Sequence, residues 1–178
     1  MSEIVMNLAV VPAMKTFVWA FVFVVAVPVL ITGGAVYVAN KGAMFGITSS
    51  VTVLSIVLFG AFVYFLLRNE ITLDAQTLTV KAAFYERSVS RSDIVWVDSH
   101  LVDFVREPGL SPGVRVNGIG LPGYRAGWFR LANGTRAFLL TTHGPLAYIA
   151  VRGGEDLLLS VVESSLLFEE IRSGGSEP

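Results

Sequence analysis

The sequence predicts an α+β chain, a two-helix transmembrane hairpin followed by a bent antiparallel β-domain that one C-terminal helix closes. Three observations carry this. Thr16 to Asn40 holds no Asp, Glu, Lys or Arg, and neither does Gly42 to Leu67, with Lys41 alone between them. From Ile71 onward, short apolar and polar alternations separated by turn residues mark strands. Val161 to Arg172 then spaces Val162, Leu166, Phe168 and Ile171 among glutamates, an amphipathic helical pattern. The implied division is an N-terminal segment (1–15), the hairpin (16–67, with spans of about 16–39 and 44–67), a domain (68–172) and a tail (173–178).

A bilayer core about 30 Å thick takes about 20 apolar residues in a helix, so each uncharged run is long enough to cross once. A cleaved signal peptide is the weaker reading of the first run. Residues 1–15 hold one acid, Glu3, and one base, Lys15, and no small-x-small site follows the run. Pro28 is expected to disturb the first helix, with Gly33-Gly34 as a second weak point. Gly42 and Gly46 have the spacing of a helix-dimer motif, but their place at the connection favours a turn. Neither span contains an ionisable Asp, Glu, Lys or Arg, which argues for an anchor over a transport path. Lys15, Arg68, Lys81 and Arg87 flank one side and Lys41 the other, so both termini are expected in the cytoplasm.

In the domain, Ile71-Thr72-Leu73, Asp74-Ala75-Gln76 and Leu78-Thr79-Val80 read as a hairpin with one apolar face. Strands follow at Phe84 to Val89 and from Ile94, with Leu101 to Val105 a continuation or a further strand. Arg106 to Gly127 carries six glycines and three prolines, and reads as a loop with at most short edge strands. Asn133-Gly134 then suggests a two-residue hairpin turn that sets Phe129 opposite Phe138. On that register Phe129, Leu131, Phe138 and Leu140 share the core face, and Trp128, Arg130, Ala137 and Leu139 the other. Tyr148 to Val151 is another strand, and Leu157 to Leu159 a short one. Ser160 with Glu163 makes a capping box for the C-terminal helix.

The opening hairpin residues, the segment Arg87-Ser88-Val89-Ser90-Arg91-Ser92-Asp93-Ile94 and the stretch Gly118 to Phe129 together resemble the bacterial pleckstrin-homology (PH)-like domain family in its membrane-anchored form. The resemblance covers most of residues 70–172. It implies a seven-stranded, strongly bent sheet closed by the C-terminal helix, and no enzymatic activity. The opening turn Asp74 to Thr77 lacks the basic residues of phosphoinositide-binding relatives.

Composition sets further bounds. The chain has 178 residues, a formal net charge of −1 and no cysteine, which leaves no thiolate chemistry, no disulfide and no basic field for nucleic acid. Gly118, Gly120 and Gly123 match a dinucleotide fingerprint literally. That fingerprint needs a helix after the third glycine, and Pro122 and Gly127 forbid one. Asn133-Gly134-Thr135 matches a glycosylation sequon that the hairpin turn already explains. His100 and His143 lack metal-ligand spacing and read as surface or loop residues, although Asp98 and Asp103 flank the first. No cofactor, metal or nucleophile constellation is expected.

Arg106, Arg115, Arg125, Arg130 and Arg136 gather in one segment with Glu107 as its only acid. They suggest a face for anionic headgroups, although the chain from Arg68 onward is slightly acidic, with eleven Lys and Arg against thirteen Asp and Glu. The candidate interaction surface is therefore Arg115, Gly118, Gly120, Gly123, Tyr124, Arg125, Trp128 and Arg130. The expected partners are the bilayer and a protein or a second copy of the chain, with an anionic lipid as the alternative.

Overall fold

The computed structural model describes residues 6–9, 12, 14–39, 45–142 and 145–160. Helix α1 (Met14–Phe21) passes through a π-helical turn (Val22–Ala26) into α2 (Val27–Ala39), and α3 spans Phe45–Leu66. Pro28 has no N–H to give the ladder. The wider turn lies just before it, with the Val27 N–H reaching back to the Val22 carbonyl. Thr32 Oγ1 donates to the Pro28 carbonyl at 2.9 Å, satisfying a group in the disturbed segment. Met14–Ala35 and Ser49–Leu66 are long and apolar enough to cross a membrane, and only 11% of each is buried within the chain. Phe23, Leu30 and Ile31 on one helix and Val53, Leu54 and Val57 on the other point outward.

Ten strands form two sheets among the described residues. The first has the order β1-β2-β3-β4, from Met6–Ala9, Glu70–Leu73, Thr77–Ala82 and Tyr85–Ser90. The expected opening hairpin is present, with Ile71, Leu73, Leu78 and Val80 on one buried face. β1 was not anticipated. It precedes the helices yet pairs antiparallel with β2, which follows them. The ends of the helical hairpin that meet the β-domain are thereby held together.

The second sheet has the order β5-β9-β10-β8-β7-β6. Its strands are β5 (Ile94–Val102), β6 (Pro112–Leu121), β7 (Tyr124–Leu131), β8 (Arg136–Thr141), β9 (Leu146–Val151) and β10 (Asp156–Ser160). β10 lies between β8 and β9 and runs parallel to β8. The sheet is therefore mixed and not antiparallel throughout. The cause is visible in composition. Ala137 to Leu140 and Leu157 to Leu159 are unbroken apolar runs, which suit central strands buried on both faces. One face packs Phe138, Leu140, Ile149, Leu157 and Leu159 against the first sheet. The other gathers Phe129, Leu131, Ala137, Leu139 and Leu158 beneath Phe104 and Leu110.

Two further expectations are corrected. Residues 112–121 are not a loop. They form β6, a ten-residue edge strand with two register shifts. Glycine makes this pairing possible, because a Cβ at Gly118 would stand 2.4 Å from the Ala126 carbonyl oxygen. The hairpin after it is also one residue out of the expected register. Ala132, Asn133 and Gly134 form a three-residue loop, with the Leu131 N–H bonded to the Thr135 carbonyl at 2.8 Å and Gly134 at φ +89°. Phe138 therefore faces Trp128, and Phe129 faces Ala137. A slip of one residue exchanges the two faces, so Phe129 and Phe138 enter different cores. The C-terminal helix expected over Val161–Arg172, the tail and His143 lie outside the described residues.

Candidate functional site

The sequence-predicted surface does not form one patch. Tyr124 is 1% exposed, and its hydroxyl donates to Asn69 Oδ1 at 2.7 Å. Burial raises its phenol far above the ordinary value, opposed in part by that hydrogen bond. Trp128 is half-buried between the rings of Tyr85 and Phe138, at 5.6 and 5.0 Å. Gly118 meets Gly127 across the ladder and serves close strand approach. Gly120, Gly123, Tyr124 and Arg125 do come together, around a hollow of about 380 Å³ beside the β6–β7 turn. That turn is partly occupied by the chain itself, because Thr16 Oγ1 of α1 donates to the Pro122 carbonyl at 3.2 Å.

The arginines divide. Arg130 stands opposite Arg136 on the face of Trp128, whereas Arg115 and Arg125 belong to the face of Phe129. Arg136 is bridged to Glu155 at 3.1 Å, and Arg106 to Asp103 at 3.5 Å. A single cationic face over 106–136 is therefore not assembled. His100 sits at the surface, in keeping with its sequence reading, with 41% of its side chain exposed. Its carboxylate partner is Glu107, 2.6 Å from Nε2, and not Asp98 or Asp103. The ring lies 5.6 Å from that of Tyr148, whose hydroxyl donates to Asp156 at 2.7 Å. Burial first, then the Asp156 hydrogen bond and the charges of Asp156 and Asp98, hold the Tyr148 phenol neutral well above its usual range. Among the described residues no cluster of three or more His, Cys, Asp or Glu side chains could hold a metal.

What the structure does assemble is a seam between the helices and the β-domain, centred on Asn69. Its Nδ2 donates to the Leu66 carbonyl and caps the end of α3. Its Oδ1 accepts from Tyr124 and from the Ala83 N–H at 3.1 Å. One buried amide thus joins α3, the β3–β4 turn and β7. Ala83 carries φ 54°, the one non-glycine positive φ among the described residues. This strained backbone is held by the Asn69 bond and turns Phe84 outward against Phe65 of α3, with ring centroids 4.2 Å apart. Beside it, at the foot of α3, opens a hollow of about 520 Å³ lined by Arg68, Glu70, Lys81, Phe84, Tyr85 and Glu86, among others. An Asn two residues past the end of the apolar run was a readable stop signal for α3 near Asn69. Nothing in the sequence pairs Thr16 with Pro122 or Tyr124 with Asn69.

The outer edge of β6 is the other feature. β6 ends its sheet, and among the described residues no strand pairs beyond it. Val114 and Val116 on this edge are 73% and 48% exposed. No protein-family model matches the chain, and neither a curated protein nor a solved structure is similar to it at a level that indicates relationship.

Proposed function

We propose that the chain is a non-enzymatic integral membrane protein. Its helical hairpin anchors a PH-like β-domain at the cytoplasmic face, where the domain acts as a protein-interaction or assembly module. The membrane reading is supported by two apolar helices whose faces are mostly turned away from the chain. The pairing of β1 with β2 supports placing both helix ends on one side, and the basic residues Lys15, Arg68, Lys81 and Arg87 favour the cytoplasm for that side.

The observation that carries the interaction reading is β6. An edge strand offers unpaired N–H and C=O groups to an added strand, and soluble domains usually blunt such edges with lysine, proline or a cover. β6 begins with Pro112 and shifts register on either side of Arg115, yet it leaves Val114 and Val116 exposed around that residue. An extended segment of a partner protein, or β6 of a second copy, would complete the ladder there. Anionic headgroup binding by the 106–136 segment is less favoured, because its arginines lie on two faces.

A photo-crosslinking residue at position 114 or 116, activated in intact membranes, tests this. An adduct of higher mass is expected at both positions and not at exposed Leu101 of β5, the opposite edge strand of the same sheet. Val116→Lys is expected to remove it, by placing a charge on the edge. Crosslinks only to residues 161–178 of the same chain, or equal adducts at Leu101, would refute the proposal.

A further inference from the structure

The hollow at the foot of α3 has a chemistry that the interaction reading leaves unused. It opens beside the chain that leaves the last helical residue of the second span, Leu66. At that level a helix ending its crossing meets phospholipid headgroups, and aromatic rings collect there. Tyr64, Phe65 and Phe84 form such a group, with Phe84 packed on Phe65.

Two of the four charges around the hollow bridge each other, and two do not. Glu70, Lys81 and Glu86 stand on one rung across β2, β3 and β4. Lys81 Nζ is 3.4 Å from Glu70 Oε2, and among the described residues no cation bridges Glu86. The Arg68 guanidinium lies over the Tyr64 ring, 5.4 Å from its centroid, and among the described residues no carboxylate bridges it. The four groups sum to zero, with one guanidinium and one carboxylate unbridged.

We propose that this hollow binds the headgroup of a phospholipid carrying both a phosphate diester and a primary ammonium, a phosphoethanolamine headgroup. A guanidinium stacked on a ring keeps its planar fork of N–H donors for phosphate oxygens. Glu86 accepts from the ammonium, which has three donors to give. A purely anionic headgroup would meet the carboxylates of Glu70 and Glu86. A trimethylated headgroup has no N–H for Glu86. The strained turn at Ala83, fixed by Asn69, sets the position of Phe84 at the rim. This inference rests on the membrane placement proposed above.

The test uses the full chain in nanodiscs with equal parts of phosphatidylethanolamine, phosphatidylglycerol and phosphatidylcholine, followed by native mass spectrometry of retained lipid. Phosphatidylethanolamine is expected to be retained about tenfold or more over each of the others, the size of one charge-assisted hydrogen bond. Arg68→Ala is expected to lose this retention. Glu86→Gln, at an exposed position, is expected to bring phosphatidylethanolamine down to the phosphatidylcholine level. Preference for phosphatidylglycerol, or unchanged retention in both variants, would overturn the proposal. Displacement of the lipid by free phosphoethanolamine at equal concentration would overturn the lipid source and assign a soluble ligand. Alkaline carbonate extraction separates the two readings. Release of the chain from membranes refutes the placement, whereas a retained chain without bound phosphatidylethanolamine refutes the hollow alone.

Discussion

Replacing Asn69 with alanine should loosen the seam between the helices and the β-domain. The wild-type amide is 3% exposed and satisfies three groups at once, the Leu66 carbonyl, the Ala83 N–H and the Tyr124 hydroxyl. Each buried polar group left without a partner costs about 1–3 kcal/mol. Water admitted by the shorter side chain recovers part of that for the two backbone groups, so the expected loss is about 3 kcal/mol. On a chain of this size that lowers the thermal midpoint by roughly 10 °C. The measurement is thermal unfolding in detergent, followed by tryptophan fluorescence, because Trp96 and Trp128 both pack against the larger core. Tyr124→Phe alone should cost about 1 kcal/mol, since Asn69 keeps its bond to Ala83. In the double variant the orphaned hydroxyl is gone, so the two losses should fall short of their sum by about 1 kcal/mol. A change below about 0.5 kcal/mol for Asn69→Ala, or strict additivity with Tyr124→Phe, would refute the role assigned to this amide.

Two neighbouring glycines should respond differently to alanine. At Gly118 a Cβ would meet the Ala126 carbonyl oxygen at 2.4 Å and Phe129 at 3.0 Å, and a cost of about 2–3 kcal/mol is expected. At Gly120 the nearest atoms are 4.0 Å away, so alanine should stay within about 0.5 kcal/mol of wild type. Equal effects in chemical unfolding would show that β6 does not pack as described. Alkaline pH should destabilise the chain. The unfolded Tyr124 phenol ionises near its ordinary value of 10.0, but the buried one is held protonated well above it. The unfolded state therefore binds fewer protons above pH 10, and stability falls by up to about 1.4 kcal/mol per pH unit for this group. Tyr148 acts in the same direction and, being more exposed, contributes less. Tyr124→Phe should flatten the slope between pH 10 and 11, and an unchanged slope would rule out the buried phenol as its source.

Much of the fold was legible where pattern and environment are local. The uncharged runs announce two membrane-length helices by composition alone, and the alternation at Ile71 to Val80 yields the opening hairpin with its buried face. The expectation failed where one residue of register decides the outcome. Asn133-Gly134 marks a turn correctly, but the loop takes three residues and not two, and the faces of β8 are exchanged relative to those of β7. The glycines of 113–127 signal a break when read locally. In the sheet Gly113, Gly118 and Gly127 are what lets β6 approach β7, a reason visible only with the partner strand in place.

The candidate site divides along the same line. Its ingredients were in plain view: a run of arginines, a glycine-rich stretch and charges just beyond the second apolar run. Composition and spacing alone establish two membrane-length apolar runs, a strand-rich segment after them, and the residue types available at their junction. It took the packed chain to bury Tyr124, to separate the arginines onto two faces, and to set Arg68 and Glu86 on the lining of one hollow. The physical reason is range. Length, hydropathy and alternation act over a few neighbouring residues. Which side chain meets which depends on strand register and on the pairing of segments as distant as β1 and β2, and that is settled only when the whole chain has packed.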